Sequence, residues 1–174
     1  SCSSSYPAKT LPAQLARLIK EEQNTESTVH VSGKTLWVYL PLQNLINEKD
    51  KDMGWDPKGL EKTGDVLGII HRVILSTDAN LDFVALVGAD IKHYGVELTT
   101  IEYIPDIKEA VLEKVSRGEF FMRSVRDVNV NAKVLNDVTG ESKRFYDVTF
   151  GQFLSLQILH RTKSLFVKDK TLAK

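Results

Sequence analysis

Leu81-Asp82-Phe83-Val84-Ala85-Leu86-Val87 sets the architecture of this chain. Apart from Asp82 the run is apolar throughout, with none of the polar alternation of a strand that has one wet face. It therefore reads as a central strand covered on both sides. A turn around Lys92–Gly95 follows, and Val96–Ile104 returns as the second arm of a hairpin. Consecutive hairpins of this kind imply antiparallel pairing.

Before this hairpin, Asp56-Pro57 has the form of a helix cap followed by a first-turn proline. Val66, Leu67, Ile70, Val73 and Ile74 recur at helical spacing, which predicts a helix to about Leu75. Gly59, Gly64 and Gly68 each weaken that helix by up to about 1 kcal/mol relative to Ala, so packing must hold it. Residues 42–55 are a polar connection. Further back, Thr28–Val31 and Thr35–Leu40 form a hairpin through Ser32-Gly33-Lys34, and Pro41 is expected to stop it. Leu36, Val38 and Leu40 share one face, whereas Trp37 and Tyr39 share the other, which is expected to receive a helix, with partner binding as the alternative. A first helix begins at Thr10-Leu11-Pro12, with Thr10 as cap, aligns Leu11, Leu15, Leu18 and Ile19, and ends near Asn24.

Downstream, Pro105-Asp106 opens a third helix with Ile107, Ala110, Val111 and Val115 on one face. Ser116-Arg117-Gly118-Glu119 fits a capping box that starts a shorter helix carrying Phe120, Phe121 and Val125. Val128, Val130, Ala132 and Val134 alternate with polar residues as in a strand, and Arg144–Val148 follows a turn at Thr139-Gly140 as its return. Thr149-Phe150-Gly151-Gln152 is a second capping box, and the last helix should run to about Leu165. The expected fold is α+β: three helix–hairpin units giving an antiparallel sheet packed with helices, closed by a C-terminal helix. Residues 10–166 form one domain, residues 1–9 a tether and residues 167–174 a basic tail.

At 174 residues, with 42% apolar and 26% charged content, the chain can build a core without a metal or disulfide staple. Lys and Arg number 23, equal to Asp and Glu, which points to no nucleic-acid partner. The balance hides an asymmetry. Nine acids face four bases from Asp78 to Glu119, whereas ten bases face five acids from Phe120 onward. Arg161, Lys163, Lys168 and Lys170 concentrate positive charge near the C-terminus and are candidate contacts for an anionic lipid or polymer; a solvated face is the alternative. No apolar stretch reaches the roughly 20 residues needed to span a bilayer.

The chain starts Ser1-Cys2-Ser3-Ser4-Ser5, and Cys2 is its single cysteine. No disulfide can close within the chain, and a thiol in a serine tract lies outside any apolar run that would bury it. This segment resembles the mature start of a bacterial lipoprotein. Ser1 matches the small residue before the modified cysteine, and Ser3-Ser4-Ser5 match the tether after it. The resemblance covers those five residues alone. It implies two or three acyl chains on Cys2, which anchor stably where one chain holds marginally. With Ser3 rather than Asp after the cysteine, it also implies the outer membrane, facing the periplasm. An incidental thiol would leave a cytoplasmic binding domain instead.

Sharper chemistry is sparse. There is no HExxH, no second cysteine for a zinc pair, no P-loop, no GxGxxG and no GxSxG elbow. Glu48 to Gly54 alternates acids like a calcium loop, but the sixth position is Met53 and the twelfth Gly59, where Gly and Glu are required. No cofactor or metal is expected. Asp78, Asp82 and Asp90 with His71 and His93 are the candidate acid–base group of an envelope hydrolase. Against that, Asp78 and Asp90 should lie at opposite ends of the strand between them, and turn chemistry accounts for both. Trp55 in a polar connection is either a partner anchor or a loop pin. The functional expectation is a lipid-anchored envelope protein with an interaction or structural role. Its partners would be envelope proteins, anionic lipid or cell-wall polymer.

Overall fold

The computed structural model describes residues 5–47, 54–92, 95–130 and 145–168. In chain order these form α1 (Leu11–Gln23), β1 (Thr28–Ser32), β2 (Thr35–Leu42), β3 (Ile46–Asn47), β4 (Gly54–Trp55), α2 (Pro57–Ile74), β5 (Phe83–Asp90), β6 (Val96–Tyr103), α3 (Ile104–Val111), α4 (Arg117–Arg123), β7 (Val125–Val130) and α5 (Phe150–Lys168). The fold is α+β. Five strands make one sheet in the order β1-β2-β5-β6-β7, and β3 pairs with β4 separately.

The sheet is mixed, which corrects the expectation of a wholly antiparallel one. Both hairpins form, β1 with β2 and β5 with β6, and β7 adds antiparallel to β6. The inner arms β2 and β5, however, run parallel, from Thr35 beside Phe83 to Leu42 beside Asp90. The reason is α2: a long connection between two strands allows parallel pairing, which a tight turn does not.

The third helix–hairpin unit is also corrected. Phe145–Val148, expected as a return strand, has no strand structure, while Ala132, Val134 and Arg144 lie outside the described residues. α3 stops at Val111, and Glu113 sits at φ +56°, so Val115 does not extend its face. Val125 opens β7 instead of closing α4, because Ser124 is already extended. Pro41 does not stop β2. The Leu42 carbonyl accepts from the Ile91 N–H after β5, so the nitrogen of Pro41 points the other way, toward β1. Pairing with β1 has ended by then, at Tyr39 beside Thr28, and a missing N–H costs no ladder bond.

Local signals explain most helix starts. Asp56 accepts the Gly59 N–H at 2.9 Å and Ser116 accepts the Glu119 N–H at 3.1 Å. The second capping box closes reciprocally: Thr149 Oγ1 accepts the Gln152 N–H at 3.3 Å, and Gln152 Oε1 accepts the Thr149 N–H at 2.9 Å. Thr10 makes no such cap; its hydroxyl donates to the Pro7 carbonyl. Gly59, costly to a helix in isolation, lets the first turn of α2 lie against the Asn44 carbonyl, where a Cβ would overlap.

Two cores flank the sheet. On one side Leu36, Val38, Leu40, Val84 and Leu86 meet Leu11, Leu15 and Ile19 of α1 and Val66, Ile70 and Val73 of α2. On the other, Trp37, Phe83, Ala85, Ile101 and Val125 meet Val148 and Phe153. β5 is buried at every position, as its unbroken apolar run requires.

Candidate functional site

Among the described residues the second face is only partly covered, and a concavity opens on it. Residues 145–148 cross it on the β1–β2 side. Trp37 Nε1 donates to the Tyr146 carbonyl at 2.8 Å. Asp147 Oδ1 accepts the Lys34 N–H at 2.9 Å and the Thr35 hydroxyl at 3.1 Å, while Thr35 Oγ1 accepts the Val148 N–H at 2.8 Å. α5 covers the end where β5 begins. Phe153 packs on Phe83 with ring centroids 5.2 Å apart, Phe150 packs on Tyr103 at 5.3 Å, and Gln157 donates to the Arg123 carbonyl.

Between this strap and α5 lies a cavity of about 200 Å³. Trp37, Tyr39, Phe145 and Tyr146 make an aromatic wall, and Val87, Ile101 and Val125 the floor. Glu97, Thr99, Asp127 and Asn129 supply polar groups. Strand register explains the last four: Glu97 lies beside Asn129 and Thr99 beside Asp127, and alternate residues of both strands face the same side. Burial pushes the Tyr146 hydroxyl above its usual value. Aromatic faces beside carboxylates, a hydroxyl and an amide suit a polar group with an apolar flank, although the volume is below the roughly 300 Å³ of typical small-molecule sites. It fits a side chain or one ring of a polymer better than a whole cofactor.

The helix-covered face holds a second polar cluster. Glu102 is 2% exposed, and its Oε2 lies 2.5 Å from His71 Nε2 on α2. Arg126 sits beside Thr100 on β7, its guanidinium 3.5 Å above the Phe121 ring. Burial lowers the pKa of Arg126, and the charge of Glu102 opposes that shift. Phe120 meets the His71 ring edge-on at 6.0 Å. A buried carboxylate needs such partners, and these tie α2 and α4 to the sheet. Sequence reasoning placed Trp37 and Tyr39 on one face for a helix or a partner, and missed Glu102 and the other groove residues. The available signal was alternation: Leu98, Thr100 and Glu102 share the face that α2 covers.

The expected acid–base group is not assembled. Asp78 accepts the Ala8 N–H at 2.7 Å, and Asp82 pairs with Lys34 at 3.1 Å. Asp90, 3% exposed, accepts the N–H groups of Leu45 at 2.7 Å, Ile46 at 3.1 Å and Lys92 at 2.9 Å. β5 separates Asp82 from Asp90 by more than about 20 Å. His71 is committed to Glu102, and His93 lies outside the described residues. Among the described residues, no three His, Cys, Asp or Glu side chains are grouped to hold a metal ion.

The candidate partner contacts are separated as well. Trp55 is 40% exposed on β4, opposite Ile46, whose N–H Asp90 holds at the far end of β5. Arg161 is exposed on α5 and donates to the Met122 carbonyl at 3.1 Å. Lys163 and Lys168 belong to α5, whereas Lys170, Cys2 and the Glu48–Met53 stretch lie outside the described residues. No protein-family model matches the chain, and neither the curated proteins nor the solved structures hold a match to it.

Proposed function

We propose that this chain is a lipid-anchored cell-envelope domain with a non-catalytic interaction or structural role, held to the outer membrane through Cys2 and facing the periplasm. The observation that carries this reading is where the folded body takes hold of the chain. Tyr6 donates its N–H to the Ser76 carbonyl at 3.4 Å and accepts from the Thr77 hydroxyl at 2.6 Å. Cys2 precedes Tyr6 by four residues, which reach at most about 15 Å. A tether of that length is short enough for lipid on Cys2 to keep the domain against a bilayer. The dispersal of Asp78, Asp82 and Asp90 into separate backbone clasps and an ion pair favours a non-catalytic role. The aromatic and carboxylate groove offers the partner surface, for an envelope protein or a cell-wall polymer.

The test is fractionation in the native host from the full reading frame. The unaltered chain should stay in the membrane fraction through a high-salt wash, and Cys2→Ser should release it. An unaltered chain that washes free, or a Cys2→Ser chain that stays behind, would overturn the reading.

A further inference from the structure

Among the described residues α5 carries an exposed apolar flank, with only Phe150 resting in part on the sheet, against Tyr103. Phe150, Leu154 and Ile158 recur every fourth residue, and Ile158 is 65% exposed. Leu156, which lines the groove, is two residues from both Leu154 and Ile158. Two residues turn a helix by about 200°, so the stripe lies on the flank away from the groove. The sheet gives that flank a direction. α5 crosses where β5 begins and β6 ends, with Phe153 on Phe83 and Phe150 on Tyr103, while the groove opens toward the strand interiors. The stripe therefore faces off the end of the sheet where β5 begins. The connection into that same end of β5, at Ser76 to Asp78, holds Tyr6 and Ala8.

Charge identifies the occupant. From Phe150 to Lys168 the helix has no Asp or Glu, and it carries Arg161, Lys163 and Lys168. Lys170 and Lys174 follow, against Asp169 alone. A second copy of this chain would set these bases against their own kind. Among the described residues no helix is long and apolar enough to cross a membrane. An exposed apolar flank on a helix with only basic charges suits the headgroup boundary of an anionic bilayer.

We infer that α5 is a membrane-contact surface: Phe150, Leu154 and Ile158 enter the headgroup boundary of an anionic lipid surface, on the side of the domain from which Cys2 is tethered. The orientation rests on the anchored reading; the contact does not, and it is tested without the anchor.

The experiment uses the full chain with Cys2→Ser and vesicles of mixed phosphatidylglycerol and phosphatidylcholine, against phosphatidylcholine alone. Binding should be confined to the anionic vesicles. Lys163→Ala with Lys168→Ala should weaken it by about 25-fold, at about fivefold per base. Ile158→Asp should weaken it at least about tenfold. Because that variant could misfold, Ile158→Cys with an environment-sensitive dye gives a second reading. Its emission should shift to the blue and be quenched by spin-labelled lipid, while the same dye on Ile91→Cys beyond the far end of β5 should not respond. Absence of anionic binding, equal binding to neutral vesicles or an unquenched label at position 158 overturns the inference. So does a dimer that Ile158→Asp dissociates. Acylated protein in the membrane fraction alongside any of these would leave the anchor standing and remove only the role of α5.

Discussion

Replacing Asp90 separates a structural clasp from a reacting acid. Its carboxylate gathers three backbone N–H groups from two connections, Leu45 and Ile46 after β2 and Lys92 after β5. Hydrogen bonds to a charged acceptor contribute about 1.5–3 kcal/mol each, and a buried donor left alone costs about 1–3 kcal/mol. In Asp90→Ala, water can reach the exposed Lys92 N–H, but Leu45 is fully buried and Ile46 half-buried. The loss should therefore be about 3–5 kcal/mol, less than the sum of three bonds because the donors share one acceptor. For 174 residues each kcal/mol shifts Tm by about 2–4 °C, so far-UV circular dichroism should record a fall of about 6–20 °C. Asp90→Asn keeps one acceptor oxygen and should lose about 1–2 kcal/mol. A fall below about 2 °C in Asp90→Ala would refute the clasp and return Asp90 to the candidates for chemistry.

Three further outcomes follow from the strap over the second face. Trp37→Phe removes the indole N–H that the Tyr146 carbonyl accepts and should cost about 1–2 kcal/mol in urea unfolding, with a change in near-UV circular dichroism. Gly33→Ala places a Cβ against the Asp147 carboxylate at φ +57°, a backbone region that non-glycine residues enter at a cost of about 1–3 kcal/mol. A comparable or larger stability loss is expected by the same assay; an unchanged urea midpoint would mean that Asp147 does not sit there. Burial holds the Tyr146 proton above the ordinary value of 10.0, so the unfolded chain ionises first as pH rises. The contribution is intact below pH 10 and is lost as pH climbs through the folded value. Urea midpoints from about pH 9 to about 11 should fall less steeply in Tyr146→Phe than in the unaltered chain.

Local chemistry was legible in the sequence wherever a few neighbouring residues settle it. The caps at Asp56, Ser116 and Thr149 form as their spacing requires, and the unbroken run in β5 is buried on both faces. The β2–β5 pairing was not legible, because apolar alternation in Leu36, Val38 and Leu40 is the same whichever way the neighbour runs. The segment at Phe145–Val148 looked like a strand for the opposite reason. Its alternating pattern satisfies a strap equally well, with Phe145 on Trp37, Asp147 on β2 and Val148 buried. The groove depends on that strap and on α5 meeting from distant parts of the chain, so no local motif announced it. The separation of Asp78 from Asp90 was foreseeable from strand length alone, whereas the partners of Asp78, Asp82 and Asp90 were not.

Mass spectrometry of the N-terminal peptide, taken from the protein of the native host, reads the chemical state of Cys2. The anchored reading requires a cysteine carrying two or three acyl chains at the start of the mature chain. A free, unmodified thiol at that position would contradict it.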